Sequence, residues 1–230
     1  MIVSNLKLGI ALPLSFHMVP SAFFDSFITM EKPPFIYLRT SNGPIDKMRD
    51  SLVESALEAG CSHLIMMDTD QVYHPRTITR LLSHKLPAVG CLVYRRYPPF
   101  DPLMMKGSLG KYETIADWEP NSLVEVDATG TGCIMFNMSV FRKMPMPWFE
   151  STVHEDKPVG EDIGFCAKMR NAGYKIYVDT SIPAGHLSQI QITDAFWRMF
   201  GKVSKEVSVS QAAQSTTEHD VVKITGLEGG

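Results

Sequence analysis

The chain has 230 residues and a formal charge of -3, with 22 Lys and Arg against 25 Asp and Glu. That length holds one large domain whose core needs no disulfide or metal staple, and the charge gives no whole-protein attraction to nucleic acid or another polyanion. Cys61, Cys91, Cys133 and Cys166 stand singly in apolar surroundings, without the close pairs of a zinc site, and read as buried free thiols in a reducing compartment.

Leu6 to Leu14 reads as a first core strand. One lysine before it and no small-residue cleavage pattern after it argue against a signal-peptide core. No apolar run approaches the ~18 residues of a membrane span, which points to a soluble, cytoplasmic protein. Phe35 to Arg39 forms a second strand after the Pro33-Pro34 break. Pro44 then opens a helix in which Ile45, Met48, Leu52, Val53, Ala56 and Leu57 recur at helical spacing, and Gly60 ends it. Arg49 lies next to that apolar row, at the border of a cleft. His63 to Met67 is a buried strand that stops abruptly at Asp68-Thr69-Asp70. A second helix begins at Pro75 with Ile78, Leu81 and Leu82 inward, and Ala88 to Tyr94 is the next strand.

This alternation predicts right-handed crossovers and an α/β fold with a mixed, mostly parallel sheet flanked by helices. From Arg95 to Asn121 the periodicity fails, and the segment reads as a long functional loop, an acceptor wall or lid. Leu123 to Asp127 resumes as a strand. Thr129-Gly130-Thr131-Gly132 is a turn feeding a buried strand through Phe136. Gly160-Glu161-Asp162 opens a helix that carries Ile163, Phe165, Cys166 and Met169 inward and ends at Gly173. Tyr174 to Asp179 is the last strand, and Ile190 to Phe200 has the pattern of a short amphipathic helix. The domain is expected to span residues 1–203. Ser204 to Gly230, rich in Ser, Gln, Thr, Glu and Gly, reads as a flexible tail.

Asp68 and Asp70 sit where an open α/β sheet binds its ligands, and two adjacent carboxylates past a strand end can converge on a divalent cation carrying phosphate oxygens. A helix cap is the structural alternative. Glu161 and Asp162 either complement a helix dipole or supply a general base near an acceptor hydroxyl. His186 stands in a loop after the last strand. Arg49, Arg95 and Arg96 are cationic candidates for diphosphate contacts.

In order, these pieces resemble a glycosyltransferase of the GT-A fold, most similar to the family 2 group. The matching stretches are Arg49 in Lys47-Met48-Arg49-Asp50, Asp68-Thr69-Asp70, Gly130-Thr131-Gly132-Cys133, Gly160-Glu161-Asp162, Gly173-Tyr174-Lys175-Ile176-Tyr177, and His186. The match covers most of residues 6 to 187. The resemblance implies that Asp70 and His186 ligate Mn2+ or Mg2+ bridging the diphosphate of a nucleotide-sugar, with Asp68 near the ribose or a metal-bound water and Arg49 near the nucleotide phosphates. It implies Asp162 as the catalytic base of an inverting, hexosyltransferase-like transfer, and Glu161 beside it as an acceptor-binding or rescue catalytic group. The acceptor hydroxyl belongs to a glycan, lipid, protein or modified nucleobase, and the oligomeric state is left open. Leu12-Pro13-Leu14-Ser15-Phe16 matches the family's base-contacting pattern only loosely, which leaves the nucleotide base open. Asp68-Thr69-Asp70-Gln71-Val72 also satisfies the motif of haloacid-dehalogenase-type phosphatases, with Asp68 as nucleophile and Asp70 as acid. There the motif normally sits on the first strand of the chain; here two strands and a helix precede it.

Overall fold

The computed structural model describes residues 6–15, 17–189, 191–194, 196 and 198. The chain divides after Leu187 into two units. The first contains β1 (Leu8–Leu14), α1 (Ser21–Thr29), β2 (Phe35–Ser41), α2 (Ile45–Glu58), β3 (His63–Met67), β4 (Gln71–Val72), α3 (Thr77–Ser83) and β5 (Ala88–Val93). It continues with β6 (Met104–Ser108), β7 (Lys111–Thr114), β8 (Leu123–Val126), β9 (Ala128–Thr129), β10 (Cys133–Asn137) and α4 (Ser139–Lys143). β11 (Thr152–His154), β12 (Lys157–Val159), α5 (Glu161–Asn171) and β13 (Ile176–His186) complete it. In the second unit residues 194, 196 and 198, within the predicted helix over 190–200, are helical. The predicted tail over 204–230 lies outside the described residues.

The main sheet runs β2-β1-β3-β10-β5-β13-β4, with β8 also paired to β13. β1, β2, β3, β5 and β13 share one direction, and β10 runs against both of its neighbours, β3 and β5. β1, β5 and most of β3 are buried along their length, as continuous apolar strands covered on both faces must be. Successive residues of β3 therefore serve opposite layers. Leu64 and Met66 join a cluster with α2 residues Leu52 and Val53 and the aromatics Phe136, Phe141, Trp148, Phe149 and Phe165. Ile65 and Met67 join the other, with Phe23 of α1 and Ile78 and Leu81 of α3.

Helix α2 begins as read, with Pro44 preceding it, and its end is set by Gly60, whose φ of 67° places it in the left-handed region where its amide reaches the Leu57 carbonyl. All four cysteines are buried and free, and burial pushes the Cys166 thiol up to about 12. Among the described residues no helix is long and apolar enough to cross a membrane.

Three parts of the chain differ from the sequence reading. The stretch expected as one long loop from Arg95 to Asn121 contains β6 and β7, which join β9 in a small three-stranded sheet. Met104 and Met105 are buried there by pairing with Ala128 and Thr129, a non-local contact that local periodicity does not encode. Helices α1 and α4 and the β11–β12 pair were not predicted. Finally, β13 does not stop at Asp179: it shifts register between Asp179 and Ala184 and continues to His186, so the histidine closes a strand and is not in a loop.

The register shift is stabilised by Asp179, whose side chain is 1% exposed. One oxygen accepts from the amide and hydroxyl of Ser181, the other from Arg80 at 2.9 Å and His84 at 2.6 Å. Burial alone would raise this carboxyl, but the Ser181, His84 and Arg80 hydrogen bonds outweigh it and hold it at about 2. Replacing Asp179 with Ala is expected to cost about 2–4 kcal/mol in chemical denaturation near neutral pH. Because the folded pKa is depressed, that difference should shrink as pH falls from about 4 towards about 2.

Candidate active site

The β3–β10 ladder runs one step past the end of β3: the Asp68 amide donates to the Gly132 carbonyl at 2.7 Å. The Tyr73 hydroxyl closes the same turn, lying 2.6 Å from the Asp68 carbonyl and 3.0 Å from that of Gly132. Gly132 leaves room for two side chains, since a Cβ there would stand 2.3 Å from Gln71 Nε2 and 2.6 Å from Asp68 Oδ2 and would displace them. The backbone pins thus separate the two motif carboxylates into two different clusters.

Asp68 belongs to the first. Arg49, 4% exposed, projects from α2 so that its Nη2 lies 3.1 and 3.3 Å from the two Asp68 oxygens. Its Nε donates to Glu161 at 3.3 Å, and its Nη1 donates to the Thr131 carbonyl at 3.2 Å. Arg49, expected near the nucleotide phosphates, pairs with these protein groups and ties α2, the end of β3, the Thr131 turn and the head of α5 together. Burial opposes the charge, but Asp68, Glu161 and Asp162 outweigh it and raise the guanidinium's pKa further. Asp162 is the member without a cation of its own. Its Oδ1 accepts from the Ile163 amide at 2.7 Å, and a Cβ on Gly130 would stand 3.8 Å from its Oδ2. Burial, then the charge of Glu161, push its carboxyl up to about 6 against the opposing pull of Arg49. The result is a carboxylate that is ionised at neutral pH yet a far better base than a surface aspartate.

The second cluster gathers Asp70, His186 and Arg96. Asp70 Oδ2 is 2.8 Å from Arg96 Nη1 and 3.5 Å from His186 Nε2. The two chain segments are joined by β4–β13 pairing, His186 opposite Gln71, and by the Leu187 amide donating to the Asp70 carbonyl. His186 Nδ1 donates to the Tyr94 carbonyl at 2.7 Å, which fixes the tautomer and aims Nε2 at Asp70. Burial would raise the Asp70 carboxyl, but His186 and then Arg96 hold it below the usual range. Burial would lower the His186 pKa, and the hydrogen bonds to Asp70 and Tyr94 raise it instead.

Among the described residues no group of three or more His, Cys, Asp or Glu side chains is arranged to hold a metal ion. A protein cage is not what a phosphate-carrying Mg2+ or Mn2+ needs, however, since one or two protein ligands suffice when phosphates and waters complete the shell. The local chemistry suits such an ion. Among the described residues, Asp70 Oδ1 is buried without a hydrogen-bond partner, and so are Gln71 Oε1 at the start of β4 and Thr131 Oγ1 in the turn before β10; buried polar atoms left this way mark a place for a ligand or water. Gln71 and Thr131 lie within quoted motifs but carry no role there, and Tyr73 lies outside them, because nothing in residue type distinguishes these three from ordinary core polar groups. Surface cavities of about 600 and 520 Å³ share no residue with either cluster.

No family model and no curated protein matches the chain. Solved structures do. A197 from STIV superposes with a TM-score of 0.58 at 16% identity, over 80% of this chain and 87% of that one. GalNAc-T7, solved with UDP, GalNAc and Mn2+, superposes with a TM-score of 0.58 at 10% identity. The chain has a GT-A fold. The second superposition takes in 82% of this chain but 45% of GalNAc-T7, so the present chain spans less than half of that protein's length. The expected fold class is therefore observed. The phosphatase alternative fares worse, because its nucleophile would be Asp68, both of whose oxygens face Arg49.

Removing the Arg49 guanidinium leaves Asp68, Glu161 and Asp162 as neighbouring carboxylates without their shared cation. Arg49→Ala is expected to lower unfolding free energy by about 3–5 kcal/mol, read by urea denaturation, with Arg49→Lys recovering only part because one ammonium cannot span both carboxylates.

Proposed function

We propose that this protein is a metal-dependent glycosyltransferase that transfers a sugar from a nucleotide-diphosphate donor to an acceptor hydroxyl with inversion, Asp162 acting as the base. The reading is carried by one juxtaposition: Asp70, past the end of β3, meets His186, the last residue of β13, with a buried carboxylate oxygen left over among the described residues, two residues from Asp68. Asp70 and His186, with Asp68 close by, would hold Mn2+ or Mg2+, and the donor's diphosphate would supply further oxygens. A divalent ion bound there supplies positive charge to a departing diphosphate.

The chain's own groups do the remainder. His186 is kept oriented by the Tyr94 carbonyl through Nδ1, which leaves Nε2 as the ring nitrogen that would ligate the ion in its deprotonated form. Asp162 takes the acceptor's proton as the new glycosidic bond forms. Glu161, anchored on Arg49, steadies the first turn of α5 and adds negative charge that makes Asp162 more basic. The complex of GalNAc-T7 with UDP, GalNAc and Mn2+ makes UDP the first nucleotide to test. The four buried thiols suit a reducing, cytoplasmic setting.

Calorimetry of UDP and GDP with and without Mn2+ is expected to show metal-dependent binding that Asp70→Ala or His186→Ala weakens by about tenfold or more. Binding of equal strength in EDTA overturns the metal assignment. In a panel of nucleotide-sugars assayed for Mn2+-dependent turnover, Asp162→Asn should lower the rate by roughly 10²–10⁴ while leaving nucleotide binding intact. The wild-type rate should fall as pH drops through about 6, where Asp162 takes up a proton. Phosphate release from simple phosphomonoesters that depends on Asp68 would instead favour a phosphatase.

A further inference from the structure

Arg96 follows β5 in a short loop whose neck is closed by two contacts. Tyr94 bridges to Pro102, and the Arg95 amide donates to the Asp101 carbonyl at 2.9 Å. The same Tyr94 supplies the carbonyl that orients His186, so the loop and the histidine share one anchor. From it the Arg96 guanidinium reaches Asp70 Oδ2 at 2.8 Å while its side chain remains 43% exposed. A cation delivered by a side chain therefore already neutralises the carboxylate that the proposed function gives to a divalent ion. Both cannot bind the Asp70 carboxylate at full strength, because a guanidinium and a divalent ion on one carboxylate repel each other and compete for its single negative charge. Arg49, the other arginine near the motif, is buried and held by Asp68 and Glu161. Arg96 is thus the arginine of this pair that can change partner without uncovering a buried charge.

Resting on the reading of Asp70 as a cation ligand, we propose that Arg96 is an exchangeable cation: it pairs with Asp70 in the empty site, yields that carboxylate to the divalent ion, and then pairs with the diphosphate of the donor that arrives with it. A guanidinium suits both positions, since carboxylate and phosphate present the same spacing of oxygens to its donors. Released from Asp70, it becomes a positioning and charge-stabilising residue for the leaving diphosphate.

The exchange has an opposite-sign signature. Titration of the 230-residue chain with MnCl2 alone, followed by calorimetry, is expected to show that Arg96→Gln binds Mn2+ roughly two- to fivefold more tightly than wild type, because the competing charge is gone. Titration with UDP at saturating Mn2+ should show the same variant binding about tenfold more weakly, because the diphosphate has lost a charged partner. Arg96→Lys should lie between the two. Unchanged Mn2+ affinity in Arg96→Gln, or a change of the same sign in both titrations, overturns the exchange while leaving the metal site standing, provided that Mn2+ binding is still lost in Asp70→Asn. Absence of Mn2+ binding in wild type and Arg96→Gln alike, with UDP bound regardless of metal, overturns the exchange and the metal site together. Thermal melts of each variant exclude misfolding as the cause, and the exposure of Arg96 makes an unchanged melt the expected result.

Discussion

The site depends on a single buried guanidinium. Arg49 lies between the carboxylates of Asp68 and Glu161 with a third, Asp162, close enough to feel its charge. Three acidic groups drawn from the end of a strand and the head of a helix would repel one another in a low-dielectric interior, and a lysine's point charge could not serve them in two directions at once. The planar fork can. Because its remaining nitrogen donates to the Thr131 carbonyl, the same residue also fixes the turn that leads into β10.

This arrangement separates the tasks of two aspartates one residue apart. Asp68 faces inward to Arg49, while Asp70 faces His186 and Arg96. The separation follows from the backbone: the β3–β10 ladder holds Asp68 in line with Gly132, Tyr73 closes the turn, and the β4–β13 pairing carries Asp70 across to the last strand. In one cluster Arg49 ties Asp68 and Glu161 into a scaffold that carries Asp162. In the other, Asp70 is paired with Arg96 and His186 through one oxygen, while its second oxygen is buried and has no hydrogen-bond partner among the described residues, a position that a ligand or water would satisfy.

Much of the fold was legible because its central strands and α2 carry strong local signals. The runs Leu8–Leu14, 64–67 and Ala88–Val93 are apolar throughout, and the observed strands are buried on both faces over most of their length. Helix α2 shows an unbroken apolar row between a proline and a glycine. What was not legible lacks such signals. Helix α1 has exposed Phe24 and Ile28 beside buried Phe23, so its pattern does not report a clean inward face. The β6–β7–β9 sheet exists by pairing across about two dozen residues of chain, and the extension of β13 to His186 rests on the Asp179 hydrogen bonds, which involve Arg80 and His84 nearly a hundred residues away.

The amino-acid sequence by itself determined the α/β class, the order of the main strands along the chain, and the identity of the acidic, histidine and arginine residues that gather at the strand ends, because burial periodicity and residue chemistry are local properties. Only the tertiary structure decided their partners. Arg49 and the diphosphate contact expected of it illustrate this: helical spacing places it beside the core row, but whether it meets a ligand or two protein carboxylates depends on where β3 and α5 end in space. The different fates of Asp68 and Asp70 were likewise set by strand pairing, since the distance and burial that govern an electrostatic interaction exist only after the chain has folded.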